Sequence, residues 1–192
     1  LNISIGSGVT YISDLETGPF LCYSLQYITV SPLNPVFDSR DNCNALIETA
    51  TNTLYAGSAN TVIPPSVTTI GKNAFCRRNL LTHIDIPDTV TKMGIMVFER
   101  CESLKSATIG CGLTEIPSNT FWACGALTSV TFGSNITKIG ASAFLGANLS
   151  TITVPSSVIT IEERAFNSSP NLTMITVEEG NEYYDSRENC NA

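Results

Sequence analysis

The sequence predicts an α/β-type repeat solenoid of about six coils of 22–23 residues, and three observations predict it. A phenylalanine recurs at fixed spacing, a short alternating apolar segment follows each one, and proline or glycine ends that segment. The phenylalanines are Phe20, Phe75, Phe98, Phe121, Phe144 and Phe166, at intervals of 55, 23, 23, 23 and 22 residues, so one interval is 32 too long. With 43% hydrophobic and 14% charged residues the chain has the composition of a folded protein rather than a disordered one.

The alternating segments are LQYITV at Leu25, LTHIDI at Leu81, LKSATI at Leu104, LTSVTF at Leu127, LSTITV at Leu149 and LTMITV at Leu172. Apolar residues at the first, fourth and sixth places, with β-branched enrichment, read as a strand that buries one face. Pro64, Pro87 and Pro155, or Gly110 and Gly133, close the segments, because proline cannot extend a ladder and glycine supports the turn away. Five residues before the later phenylalanines stand Ile70, Met93, Ile116, Ile139 and Ile161, and three before those Val67, Val90, Leu113, Ile136 and Val158. In VTTIGKNAF, from Val67 to Phe75, the apolar spacing is neither alternating nor that of a long amphipathic helix. It predicts a short helical or 3-10 turn on the outer wall, with Gly71, Gly94 and Gly140 punctuating the approach. A single coil cannot bury its own apolar wall, so stacking must supply the core. The strands would then pair in parallel about 4.8 Å apart, as one continuous sheet roughly 30 Å long.

The unit LxxIxIPxxVxxIGxxAFxxC resembles the repeat of the BspA-like leucine-rich-repeat family of bacterial surface proteins. LTHIDIPDTVTKMGIMVFERC, from Leu81 to Cys101, matches it almost throughout, and the pattern spans nearly the whole chain. The resemblance implies a right-handed leucine-rich-repeat solenoid with a parallel sheet on the concave side. A parallel β-helix is the competing fold, but one alternating segment and one AF-containing turn per 23 residues favour the leucine-rich repeat. Departures are modest: Gly replaces Pro in two coils, Met93 replaces Ile, and the first coil carries three extra residues around LETGP.

The surplus residues define an insertion at 31–62 within one solenoid of 1–192. ALIET and TLYAG flank Ala50-Thr51-Asn52 there, which predicts a β-hairpin projecting from the array. The last sixteen residues, VEEGNEYYDSRENCNA, match residues 30–45 at nine positions with an offset of 147. A second-order repeat is thereby expected, with 178–192 as the start of a second, truncated copy of the insertion, and the sequence reads as a piece of a longer array.

Ten Lys and Arg against seventeen Asp and Glu, a net charge of -7, lack the basic footprint of a nucleic-acid binder. No apolar run is long enough to span a bilayer, and the first ten residues lack the layout of a secretory signal, so no membrane insertion of this segment is expected. The motif D-S-R-[DE]-N-C-N offers Asp38, Asp41, Asn42 and Asn44 as hard oxygen donors for calcium, but its spacing is not that of an EF-hand and turn capping is favoured. Cys101 and Cys124 take equivalent places in adjacent coils, with Cys22 close to the same place, which predicts a thiol ladder rather than disulfides. Cys76, Cys111, Cys43 and Cys190 complete no zinc set, so no metal and no cofactor is expected. His83 is the one histidine and sits in a strand, while Glu162-Glu163 and Glu178-Glu179 diverge as sequence neighbours, so no catalytic residue and no enzyme is predicted. Sequons at Asn2, Asn135, Asn148, Asn167 and Asn171 are read as incidental.

The outward third and fifth strand positions remain: Tyr27 and Thr29, His83 and Asp85, Ser106 and Thr108, Ser129 and Thr131, Thr151 and Thr153, Met174 and Thr176. Threonine suits an exposed strand without further purpose. A polar face with few charges also suits an extended protein or glycan ligand, with specificity near Tyr27, His83 and the hairpin. The expectation is an adhesin-like interaction protein, placed at the cell surface or secreted by the family resemblance. A passive spacer or coat element, and an accessory binding domain of a larger enzyme, are the alternatives.

Overall fold

A computed structural model describes residues 1–13, 15, 18–20 and 22–186. In chain order the strands are β1 (Asn2–Ile5), β2 (Tyr27–Val30), β3 (Phe37–Asp38), β4 (Ala45–Glu48), β5 (Thr53–Gly57), β6 (Thr69–Ile70), β7 (His83–Ile86) and β8 (Lys92–Met93). They continue with β9 (Ser106–Ile109), β10 (Glu115–Ile116), β11 (Ser129–Thr131), β12 (Lys138–Ile139), β13 (Thr151–Val154), β14 (Thr160–Ile161) and β15 (Met174–Val177). Together they wind a β-solenoid of about seven turns rather than six coils. The pass that the apolar pattern does not foresee is Ser58–Ile63, where Ser58 and Thr61 fill the places that Leu81 and Ile84 take one period later.

Those two residues are buried, and hydrogen bonds replace the missing hydrocarbon. Ser58 Oγ donates to Gln26 O at 2.8 Å, the Ser58 amide to Thr61 Oγ1 at 2.7 Å, and Thr61 Oγ1 to Asn44 O at 2.7 Å. The segment takes no strand conformation, so the concave face is not the single sheet expected. It consists of β1–β2, then β7–β9–β11, then β13–β15, all parallel. The second break falls where Leu127 to Leu149 is a residue shorter than the other plain coils.

Short strands, not helical turns, form the lateral wall. β6 pairs with β8, β10 with β12, and β12 with β14, placing Ile70 beside Met93, Ile116 beside Ile139 and Ile139 beside Ile161. The AF segments that follow are turns, and their backbone shows why no helix forms. Each has a left-handed residue two before and two after its phenylalanine: Asn73 and Arg77, Met96 and Arg100, Asn119 and Ala123, Ser142 and Gly146, Arg164 and Ser168. Positive φ at both positions breaks a right-handed helix. The amides so released bond to the next coil, as in Phe75 N to Val97 O at 2.9 Å and Phe98 N to Thr120 O at 2.9 Å. The turn at Arg40–Asn42, just after β3, is likewise left-handed at Asp41 and Asn42.

Between the walls runs the core. Phe75, Phe98, Phe121 and Phe144 are each fully buried, and with Phe166 they stack at centroid distances of 5.1, 5.3, 5.3 and 5.5 Å. Cys101 and Cys124 are buried beside them as free thiols, donating to Phe75 O at 3.0 Å and Phe98 O at 3.1 Å. Burial pushes the Cys101 thiol up to about 12 and Cys124 well above the usual range. Arg78, one period before Cys101, is 2% exposed and spends its guanidinium on the carbonyls of Gly57, Cys22 and Cys76 at 2.7, 3.3 and 3.2 Å.

Nor does the antiparallel pair β4–β5 project from the array. It lies in the lateral sheet, in the order β3–β4–β5–β6–β8, with β5 parallel to β6. Leu46 and Ala56 pack towards the preceding coil, against a cluster with Ile28, Phe37 and Val30, while Ala45, Ile47 and Leu54 join the core of the following coils. Part of the extended first coil around LETGP, and residues 187–192 with Arg187 and Cys190, lie outside the described residues.

Candidate ligand-binding face

The alternation of each concave strand positions the candidate side chains. In β7 and β13 the inward residues Ile84, Ile86, Ile152 and Val154 are buried, which turns His83, Asp85, Thr151 and Thr153 outward. Register then lines the positions up across strands: His83, Ser106 and Ser129 in one row, Asp85, Thr108 and Thr131 in the next. Thr151 faces Met174, and Thr153 faces Thr176. Tyr27 and Thr29 sit on β2 opposite Asn2 and Ser4. Ser106 and Thr176 are half-buried and the other ten are exposed.

Two kinds of surface result. Over β1–β2 and β13–β15 hydroxyls satisfy one another, with Ser4 to Thr29 and Thr153 to Thr176 both at 3.0 Å. On β7–β9 the polar groups form a tighter cluster. His83 Nδ1 lies 2.8 Å from Ser106 Oγ, and its Nε2 lies 3.0 Å from Asp85 Oδ2. Hydrogen bonds from Thr108 and then from His83 hold the Asp85 carboxyl below the usual carboxylate range.

A hydroxyl, an imidazole and a carboxylate thus stand in a row, which the strand pattern did not foresee because Ser106 arrives from the neighbouring coil. Acyl transfer also needs amides aimed at a developing oxyanion and a site closed to water. Here β9 is paired on both sides, which commits its amides to the ladder, and the side chains of His83 and Asp85 are 50% and 69% exposed. What the row does supply is a fixed set of donors and acceptors on an open face.

Asn60 and Val62, which the strand pattern missed, stand one period before His83 and Asp85. With Ile63 and Pro87 these four line a cleft of about 350 Å³, and Val62 is 75% exposed at its edge. The signal was present in the repeat Ile63-Pro64 to Ile86-Pro87, hidden by the polar Ser58 and Thr61.

The remaining candidates are structural in their contacts. Asp38 is gripped by Arg40 through bonds of 2.8 and 2.6 Å and by Thr49 at 2.8 Å, and Arg40 reaches on to Asn52 at 2.8 Å. The pair therefore ties β3 to the β4–β5 turn. Asp41, Asn42 and Asn44 adopt positive φ, and Asn44 donates to Asn60 O at 3.1 Å, contacts that shape a turn. Among the described residues no three His, Cys, Asp or Glu side chains gather to hold a metal. Glu162 pairs with Lys138 at 2.7 Å, Glu178 accepts the Ser156 amide at 2.9 Å, and Asn171 donates to Asn148 at 2.6 Å.

Coils of 22–23 residues, a parallel concave sheet and an internal phenylalanine stack define a leucine-rich-repeat β-solenoid. Six copies of the BspA type leucine rich repeat region match residues 52–183, and the chain belongs to that family. A leucine-rich cell surface protein of Faecalibacterium prausnitzii is 27% identical, with a TM-score of 0.63 over 98% of this chain and 41% of its own. A leucine-rich repeat protein of Bacteroides ovatus is also 27% identical, with a TM-score of 0.58 over 74% of this chain and 39% of its own. The pneumococcal vaccine antigen PcpA shares the fold at 15% identity and a TM-score of 0.70, over 92% of this chain and 44% of its own. The chain thus spans about two fifths of the length of these structures. No curated protein matches the sequence. Among the described residues no helix is long and apolar enough to cross a membrane.

Proposed function

We propose that this chain is a ligand-binding module of a bacterial surface protein, engaging an extended protein or glycan on a host or neighbouring cell through its concave face. The observation that carries the reading is the cleft between Asn60–Ile63 and β7. There an exposed aliphatic edge, Val62, adjoins the fixed polar row of His83, Asp85 and Ser106. Apolar contact beside oriented hydrogen-bonding groups is how concave sites combine affinity with specificity. Tyr27, 44% exposed and about two strand spacings away, extends the same surface with an aromatic platform. Thr29, Thr108, Ser129, Thr131, Thr151, Thr153, Met174 and Thr176 continue the face for a long ligand. Likeness to a cell surface protein of F. prausnitzii supports the location.

The test is a binding survey of the purified chain on arrays of matrix proteins and glycans, beside a Tyr27→Ala, His83→Ala double variant. Saturable binding that the double variant loses by tenfold or more is the expected outcome, equivalent to about 1.4 kcal/mol. One observation favours a second reading, that of a passive spacer: the self-satisfied hydroxyl pairs Ser4–Thr29 and Thr153–Thr176 leave little for a ligand there. A spacer would bind nothing on either array.

A further inference from the structure

We infer that the apolar hollow lined by Val154, Ile161, Phe166, Ile175, Val177 and Tyr184 is a docking site for a β-hairpin of the Ala45–Gly57 type. Two stretches of the chain build the same device 147 residues apart. Asn34 Nδ2 donates to Gly6 O and Val9 O, and its Oδ1 accepts the amides of Val36 and Phe37. Asn181 Nδ2 likewise donates to Pro155 O and Val158 O, and its Oδ1 accepts the amides of Tyr183 and Tyr184. The Val30 amide is capped by Ser39 Oγ at 3.0 Å, and the Val177 amide by Ser186 Oγ at 2.9 Å.

These shared bonds, the pairing of β1 with β2 and of β13 with β15, and the recurring phenylalanine align every lining residue. Val154 corresponds to Ile5, Ile161 to Ile12, Phe166 to Phe20, Ile175 to Ile28, Val177 to Val30 and Tyr184 to Phe37. In the first copy those positions form one cluster with Leu46 and Ala56 of the β4–β5 hairpin, and Ile28 and Phe37 are 0% and 2% exposed. In the second copy Ile175 and Tyr184 stay half-buried and the hollow measures about 260 Å³. The same chain therefore shows what the hollow accepts: two short antiparallel strands that present one bulky and one small apolar side chain. The hairpin's first strand would pair along Tyr184 as β4 pairs along Phe37.

The experiment extends the chain beyond Ala192 with a second copy of Leu46–Val67. Hydrogen exchange is then followed at 172–186. A control carries Leu46→Asp and Ala56→Asp within the appended copy alone, so the receiving coil keeps its own sequence. At least about tenfold slower amide exchange at Ile175, Val177 and Tyr184 with the native extension, and none with the control, is expected. Equal exchange in all three proteins overturns the proposal, as does equal protection by the control. So does concentration-dependent protection of the unextended chain with dimer formation in sedimentation, because the hollow would then be an interface between copies.

Discussion

At the residue scale the junction around the hairpin is closely packed and hydrogen-bonded through Gly57 and Arg78. Gly57 has no room for a side chain, since a Cβ there would fall inside the Phe75 ring, and its carbonyl accepts the buried Arg78 guanidinium. Gly57→Ala is expected to destabilise the fold by about 1–3 kcal/mol, read from the midpoint of urea unfolding. Burial raises the Asp38 pKa, but the hydrogen bonds from Arg40 and Thr49 outweigh it and leave the carboxyl below its usual range. The folded pKa thus lies below the unfolded one. Its stabilisation is fully present above the usual aspartate value and is lost as pH falls through the lower folded value. Asp38→Asn should therefore melt below the parent chain at pH 7, and thermal scans at about pH 2 should bring the two together. Residue chemistry was only partly legible in sequence. The Asp38-Ser39-Arg40 motif stood out through its second copy, whereas Arg78 in a cysteine's place gave no sign of being a buried carbonyl clamp.

At the scale of elements, the concave strands were readable because their apolar period of two is undiluted in six of the passes. Ser58–Ile63 escaped because hydroxyl-to-carbonyl bonds do there what leucine and isoleucine do elsewhere. The AF segment was misread as helical for a different reason. Its turn depends on two left-handed residues flanking the phenylalanine, and only Asn73, Asn119 and Gly146 are types that favour that conformation. Met96, Arg77 and Arg100 adopt it because the inter-coil amide bonds and the buried ring hold the backbone there. The phenylalanine stack should accordingly govern stability. Phe121→Ala, in the middle of it, is expected to cost about 3–5 kcal/mol in denaturant unfolding followed by circular dichroism. An exposed partner on the same coil, such as Thr131→Ala, should change stability by less than about 0.5 kcal/mol.

On the scale of the whole molecule, the solenoid acts as a ruler. Register sets the outward side chains of β7, β9 and β11 in straight rows, and the two breaks in the sheet divide the face into segments of different chemistry. The segment next to the hairpin-bearing coil is where polar order and exposed hydrocarbon meet, because that coil gives up its strand and opens a cleft beside His83. Candidate positions could be named from sequence since strand alternation decides which side chains face outward. Their coupling could not, because the His83–Ser106 contact joins residues 23 apart and depends on the coil pitch. The most direct measurement is hydrogen-exchange and hydroxyl-radical footprinting of the chain with a ligand from the array survey. Protection of Tyr27, Val62, His83 and β9 is the expected result. Protection confined to the outer wall or to the Asp38–Arg40 turn, with those residues unchanged, would contradict a concave binding face.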